Sequence, residues 1–321
     1  MSVPSAVVDR RDPIVAPTDR ALVEVTGGDR ISYLEAVTSQ ALADAKPFEA
    51  RGALHLDIHG APLHAFDVLV HPERLWLLVA TRALAEDVVT VLGGRTFLAD
   101  ASFAIIDDLV VSSLRGPGAI EVATDAGLGI GAGRWDSDDA LVRVGRPAGI
   151  DLIGPADEVE EAVAACEAAG AVRGGAADLE DARIVVGEPA WGAEVAAPHL
   201  PEELGLLPTH VHLAKGCYPG QEAVARMWQL GRPRRRLAVV DAAVPVGAGD
   251  ELGEGRRRVT VTSATRAGDV ALAFVPADAE VGAAYEGDEG QVLTVRRLVG
   301  EGQPQPGADP NVARRRDARA S

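Results

Sequence analysis

The stretch RGALHLDIHGAPLHAFDVLVHPERLWLLVA, residues 51–80, constrains the fold more than any other. Its apolar and polar residues alternate around turn signals at Gly60 and at Pro72 to Arg74, and a period of two with short connections predicts an antiparallel meander. A sheet of this kind needs a cover on its apolar face, and the segments on either side supply helices. ALVEVTGGDRISYLEAVTSQAL (21–42) reads as a strand carrying Leu22 and Val25, a Gly-Gly-Asp turn, and a helix with Ile31, Leu34 and Val37 on one stripe. TRALAEDVVTVLGG (81–94) reads as an amphipathic helix with Thr81 as its N-cap and glycine at its end. Strands and helices are therefore mixed along the chain, and the fold class is α+β.

Further along, FAIIDDLVVSSLRGPGAIEVA (103–123) predicts two short strands, and PADEVEEAVAACEAAGA (155–171) predicts a helix that buries Val159, Val163 and Cys166. Cys166 is then a packing residue, as free cysteine commonly is. GLGIGAG (127–133) has the glycines of a phosphate loop but neither its lysine nor a following helix, so it reads as a turn. From Leu237 the pattern changes to short β runs, RLAVVDA, RRVTVTSATR, DVALAFV and GQVLTVRRL, with glycine turns between them, which predicts a small C-terminal β-barrel or sandwich.

Length and charge bound the function. At 321 residues the chain exceeds one ordinary core, and its two cysteines, far apart, provide no disulfide framework and fit a reducing compartment. With no membrane-length apolar run and no leader signature, the chain reads as cytoplasmic. The formal net charge of −17 disfavours direct nucleic-acid binding, because non-specific affinity comes from neutralising phosphates. RPRRR (232–236), RRR (256–258) and RRRDAR near the end read as solvated faces or tails. Twelve aromatic residues offer little for a sticky interface, which points to a monomer.

HLAKGCYPGQEAVARMWQLG (212–231) departs from the rest. Pro219 suits a first helical position, Val224, Met227 and Leu230 give the helix an apolar stripe, and Gly231 closes it. Cys217 then lies just ahead of a helix N-terminus with Lys215 two residues away, an arrangement that lowers a thiol pKa. Gly216 and Gly220 free the backbone for unusual dihedrals and close approach of a ligand. The bland alternative is a tight connection in which Cys217 fills a small hole. A third reading takes His210 and His212, on one side of an extended segment, with His199 and Cys217 as a zinc-like set, although the spacing matches no common zinc pattern.

The block KGCYPGQE followed by AVARMWQLGRPRRRL resembles the folate-binding YgfZ family, relatives of the aminomethyltransferase T-protein of the glycine cleavage system. Looser likeness in LVEVTGGDRISYLEAVTSQAL, ARIVVGEPAWGAEVAAPHLPEELGL and VTVTSATR extends it over roughly residues 19 to 298. The resemblance implies an aminomethyltransferase-like folate-binding body of intertwined subdomains around a central hole, tetrahydrofolate in that hole, and a small C-terminal β-barrel. It also implies a role in assembly or repair of iron-sulfur client enzymes, and through them in tRNA thiolation. By the same likeness Cys217 is the functional thiol and Lys215, Gly216, Tyr218, Gly220, Gln221, Glu222 and Arg226 build its setting. Glu194, in WGAEV, takes the place of the carboxylate that holds the pterin, and Arg183 contacts ligand or scaffold.

The chain departs from the T-protein where that enzyme carries paired aspartates. Here the region reads HGAPLHAFDVLV, with Asp67 alone and Ala61 where the relatives place an arginine. A displaced carboxylate weakens the reading as a folate-dependent one-carbon transferase, since a general acid or base must reach the group it serves. The expected organisation is a disordered tail over 1–18, a folate-binding body over 19–235, a barrel over 236–298 and a disordered tail over 299–321. No resident metal is expected on the folate reading. A metal or interaction module without folate is the remaining alternative.

Overall fold

The computed structural model describes residues 12–138, 140–196, 198–230, 233–287, 290–310 and 312–313. The chain opens on β1 (Ile14–Thr18) and β2 (Ala21–Thr26), which join different sheets. After α1 (Arg30–Val37) come β3 (Ala50–Leu56), β4 (Pro62–Val70) and β5 (Leu75–Val79), the expected meander, then α2 (Arg82–Val91) and β6 (Ser102–Ile106). These strands form an antiparallel sheet in the order β3-β4-β5-β2-β6. The period-two pattern works as predicted: Ala53, Phe66, Val68 and Leu77 face Leu34 of α1 and Leu84, Ala85 and Val88 of α2. Thr81 caps α2 by accepting from the Leu84 amide at 3.1 Å, an interaction typically worth about 1 kcal/mol.

The second sheet takes β1 back. Its members are β7 (Val110–Arg115), β8 (Trp135–Asp138), β9 (Leu141–Arg146), β10 (Gly149–Gly154) and β11 (Val172–Arg173), in the order β11-β1-β7-β10-β9-β8. Three helices belong to this half: α3 (Ala119–Asp125), α4 (Ala156–Ala168) and α5 (Ala176–Val186). Cys166 of α4 is fully buried beside Val159 and Val163, and burial lifts its thiol to about 11. The strands expected in 103–123 are β6 and β7, while residues after the left-handed Gly118 turn into α3.

Two connecting helices, α6 (Leu207–His210) and α7 (Gln221–Leu230), lead into the C-terminal unit. There β12 (Arg235–Ala242), β13 (Glu251–Leu252), β14 (Val259–Ala264), β15 (Val270–Pro276), β16 (Ala284–Glu286) and β17 (Val292–Leu298) form a nearly closed antiparallel barrel in the order β13-β14-β15-β12-β17-β16. All four expected β runs are strands, joined by the two short strands β13 and β16.

Both expected tails are shorter than their sequences suggest. Residues 14–18 fill a slot between β7 and β11, so the disordered reading of 1–18 fails there because Ile14, Val15 and Ala16 are buried. Residues 299–307 return across the body: Val299 donates to the Leu237 carbonyl at 2.9 Å, and the Pro306 carbonyl accepts from Leu213 at 3.0 Å. Gln305 Nε2 donates to the Val211 carbonyl at 3.0 Å. Residues 1–11, Gly231 and the RRRDAR run lie outside the described residues. Among the described residues no helix is long and apolar enough to cross a membrane.

Candidate functional site

The KGCYPGQE stretch divides into an inward and an outward half. Lys215 turns inward, where Nζ donates to the carbonyls of Glu35 at 2.5 Å and Thr38 at 2.6 Å. It therefore closes the C-terminal end of α1, where unpaired carbonyls and the helix dipole favour a cation. The same ammonium lies 4.5 Å from the ring centroid of Tyr218, a cation–π contact. Burial pulls Lys215 down to about 8, against the opposing charges of Glu35 and Cys217, and burial lifts the Tyr218 phenol to about 12. Tyr218 and Val224 join a core with Leu54, Leu56 and Val211.

Cys217, Glu222 and Arg226 are exposed. The helix begins at Gln221, so Pro219 belongs to the preceding turn and not to the first helical position. Gly220 is left-handed at φ 78°, and a Cβ there would lie 2.4 Å from the Asp57 carbonyl oxygen, so its missing side chain serves the turn 57–60. Gly216 has no such neighbour; a Cβ there would enter open space. Gln221 Nε2 donates to the Lys215 carbonyl at 3.4 Å, tying the turn to the helix.

Glu194 and Arg183 lie in a buried seam between the body and the barrel. The Glu194 carboxylate, fully buried, accepts from Thr262 Oγ1 at 2.7 Å, Ser263 Oγ at 2.6 Å, Arg183 Nη1 at 3.2 Å and the Ala190 amide at 2.9 Å. Four bonds fill the roughly four acceptor sites of a carboxylate, so Glu194 is committed to holding β14. Arg183 also pairs with Glu180 and donates to the Glu188 carbonyl at 3.0 Å and to Ser263 Oγ at 2.8 Å. Among the described residues no hydrogen bond or ion pair links residues 215–226 to Glu194 or Arg183.

A second charged cluster joins the two sheets. Asp151 accepts from Ser113 Oγ at 2.5 Å, Arg115 Nη2 at 2.8 Å, Arg146 Nε at 2.6 Å and Arg20 Nη1 at 3.5 Å. Burial alone would raise its carboxyl, but Arg115, Arg146 and Arg20 hold it well below the usual range. Glu188 accepts from Arg115 Nε at 2.8 Å and from Arg20 Nη2 at 3.4 Å, so the cluster meets the Arg183 seam at one residue. Asp67 of β4 reaches in from the other sheet and accepts from Arg146 Nη1 at 2.5 Å. The imidazole of His210, from α6, lies against Gly52 of β3, where a Cβ would sit 2.7 Å from the ring. Burial lowers the His210 pKa, with Asp67 and Arg146 as its charged neighbours acting in opposite directions.

These residues carry no motif. The legible signal was a charged residue in an otherwise apolar strand, Asp151 in GIDLIG and Arg115 in VVSSLR, since buried charge persists only when paired. The zinc-like set is not assembled: His199 stacks on Phe274 at 3.9 Å, His210 Nδ1 meets Thr209 Oγ1 at 2.7 Å, and among the described residues no group of three or more such ligands is placed to hold a metal. Two open clefts of about 420 and 400 Å³ are lined by no residue of 212–231.

Two interleaved α+β halves and a nearly closed six-stranded barrel define an aminomethyltransferase-like fold. The glycine cleavage system aminomethyltransferase T of Bartonella henselae superposes on 95% of this chain and 92% of its own, with a TM-score of 0.73 and 18% identity. Regulatory structures of aspartate kinase from Porphyromonas gingivalis and Thermus thermophilus cover 49% and 47% of this chain and 96% and 93% of their own. Their TM-scores are 0.25 and 0.26 and their identities 11% and 16%, too distant to bear on the fold. No family model and no curated protein matches the sequence.

Proposed function

We propose that this protein binds tetrahydrofolate where the two sheets and α6 converge, and that it supports assembly or repair of iron-sulfur enzymes in the cytoplasm, with Cys217 as its functional thiol. The observation that carries the reading is the aminomethyltransferase-like fold over nearly the whole chain, combined with the KGCYPGQE likeness to the folate-binding YgfZ family. Two features of the junction fit a flat, hydrogen-bonding ring: His210 laid against a glycine, and a buried Arg146 nitrogen, Nη2, without a partner. Bound tetrahydrofolate would supply one-carbon or redox chemistry at its reduced ring.

Binding is favoured over aminomethyl transfer by the state of Asp67. Its Oδ2 is held by Arg146 at 2.5 Å, so the one carboxylate left in the HGAPLHAFDVLV region is fixed in an ion pair, with only Oδ1 left to meet a ligand, an arrangement that suits holding a ring more than shuttling a proton. The exposure of Cys217 suits a thiol that meets a protein client, and any effect on tRNA thiolation is indirect through such clients. The test is genetic: in a strain lacking the protein, iron-sulfur enzyme activity should fall, return with the wild-type chain, and stay low with Cys217→Ser at equal protein level. Full rescue by Cys217→Ser would remove the thiol from the proposal.

A further inference from the structure

We propose that Asp67 and Arg146 together read the lactam edge of the pterin ring, a task that Glu194 has no acceptor left to perform. The inference rests on the folate reading above and adds to it the residues that choose the ring.

Arg146 differs from its neighbours in how its donors are used. Arg115 spends every nitrogen: Nε on Glu188 at 2.8 Å, Nη1 on the carbonyls of Leu114 at 3.0 Å and Ile150 at 2.8 Å, and Nη2 on Asp151 at 2.8 Å. Arg183 is likewise engaged through Nε, Nη1 and Nη2. Arg146 uses Nε and Nη1, while Nη2 is buried with no partner. A buried guanidinium N–H left unmade is costly, and it marks a place where a ligand oxygen gains a charge-assisted bond.

The charge balance selects the kind of oxygen. Asp67, Asp151 and Glu188 stand against Arg20, Arg115 and Arg146, three negative charges to three positive. An anion added here would lack its own counter-charge, and burying an unpaired charge is expensive. A neutral carbonyl adds none. Asp67 meets Arg146 through Oδ2 alone, a single-ended contact rather than a bidentate fork, so a carboxylate acceptor stands next to the unused donor. One donor beside one acceptor is the complement of a cis-amide edge, O=C–N–H, which the pterin carries at its 4-oxo and N3–H positions. His210, pressed against Gly52 with Asp67 and Arg146 as its charged neighbours, lies at the same junction as a flat wall.

The test exchanges the edge and leaves the protein intact. Anaerobic wild-type protein is titrated calorimetrically with tetrahydrofolate and with 4-amino-4-deoxytetrahydrofolate, which puts a donor where the carbonyl was and an acceptor where N3–H was. Binding of the 4-amino compound should be at least about tenfold weaker, since each mismatched group would leave a buried partner unmade. In Asp67→Asn, whose amide offers both a donor and an acceptor, the gap should close to within about threefold. Equal affinity of the wild type for both compounds overturns the assignment while leaving the folate reading standing. Failure of both to bind sinks the folate reading itself, and this inference with it. If Asp67→Asn does not fold, the wild-type comparison decides.

Discussion

Glu194→Gln separates a scaffold carboxylate from a ligand-binding one. Glutamine keeps the size of the side chain but leaves one oxygen where there were two. That oxygen can still serve Arg183 Nη1 and the Ala190 amide, which now lie 3.2 and 2.9 Å from Oε2. The new NH2 must face Thr262 and Ser263, which donate to Oε1 at 2.7 and 2.6 Å. Both hydroxyls can accept from it, Ser263 through its second lone pair beside Arg183 Nη2 and Thr262 by turning its proton to the Leu272 carbonyl at 3.0 Å, so the bonds survive as neutral ones. Bonds to a charged group contribute roughly 1.5–3 kcal/mol and neutral ones about 1 kcal/mol, so downgrading two to four of them costs about 3 kcal/mol. That is a fall in Tm of about 6–12 °C, using about 2–4 °C per kcal/mol. Scanning calorimetry reads the fall, and tetrahydrofolate titration below the transition should give an affinity within about threefold of wild type. A variant as stable as wild type that has lost tenfold or more in tetrahydrofolate affinity would refute the scaffold assignment.

Three further outcomes follow from the geometry. His55 Nδ1 lies 2.9 Å from His64 Nδ1, and His64 Nε2 lies 2.8 Å from Asp87, so His55 is held within the sheet by its neighbour. Burial, with His64 and Arg95 nearby, lowers His55 from 6.5 to about 4; this stability is present above pH 6.5 and lost as pH falls toward 4. Urea unfolding should therefore show a loss of about 2 kcal/mol between pH 7 and pH 5 that is absent in His55→Gln, and an identical slope in both would refute it. Cys217 should be alkylated in the native protein while Cys166 reacts only on unfolding, as mass spectrometry of the two peptides would record. A Cβ at Gly307 would lie 2.5 Å from the Ala214 amide nitrogen and 2.7 Å from His212 Cε1, so Gly307→Val should lift the C-terminal segment. The Leu213 amide, bonded to Pro306, should then exchange hydrogen at least tenfold faster, and unchanged protection would show that the segment does not hold this loop.

Local chemistry made much of this molecule readable. The meander, the Thr81 cap and the buried stripe of α4 follow from periodicity and capping, because each is decided by residues close in sequence. The barrel strands were readable for the same reason. What depends on distant partners was not. Residues 14–18 look like tail until β7 and β11 offer them a slot, and 299–307 look like tail until the Val211 and Leu237 carbonyls accept from them and the Leu213 amide donates to them. Lys215 stands two residues from Cys217 and reads as its activator, but the fold turns the ammonium onto the end of α1. The junction of Asp67, Arg146, Asp151 and His210 draws on β4, β9, β10 and α6, and no spacing along the chain encodes that meeting.

Calorimetric titration of anaerobically purified protein with tetrahydrofolate, beside folic acid, tests the central claim most directly. Tetrahydrofolate should bind saturably, one to one, and in preference to folic acid. No heat of binding at millimolar tetrahydrofolate would contradict it and leave an aminomethyltransferase-like fold that does not bind folate.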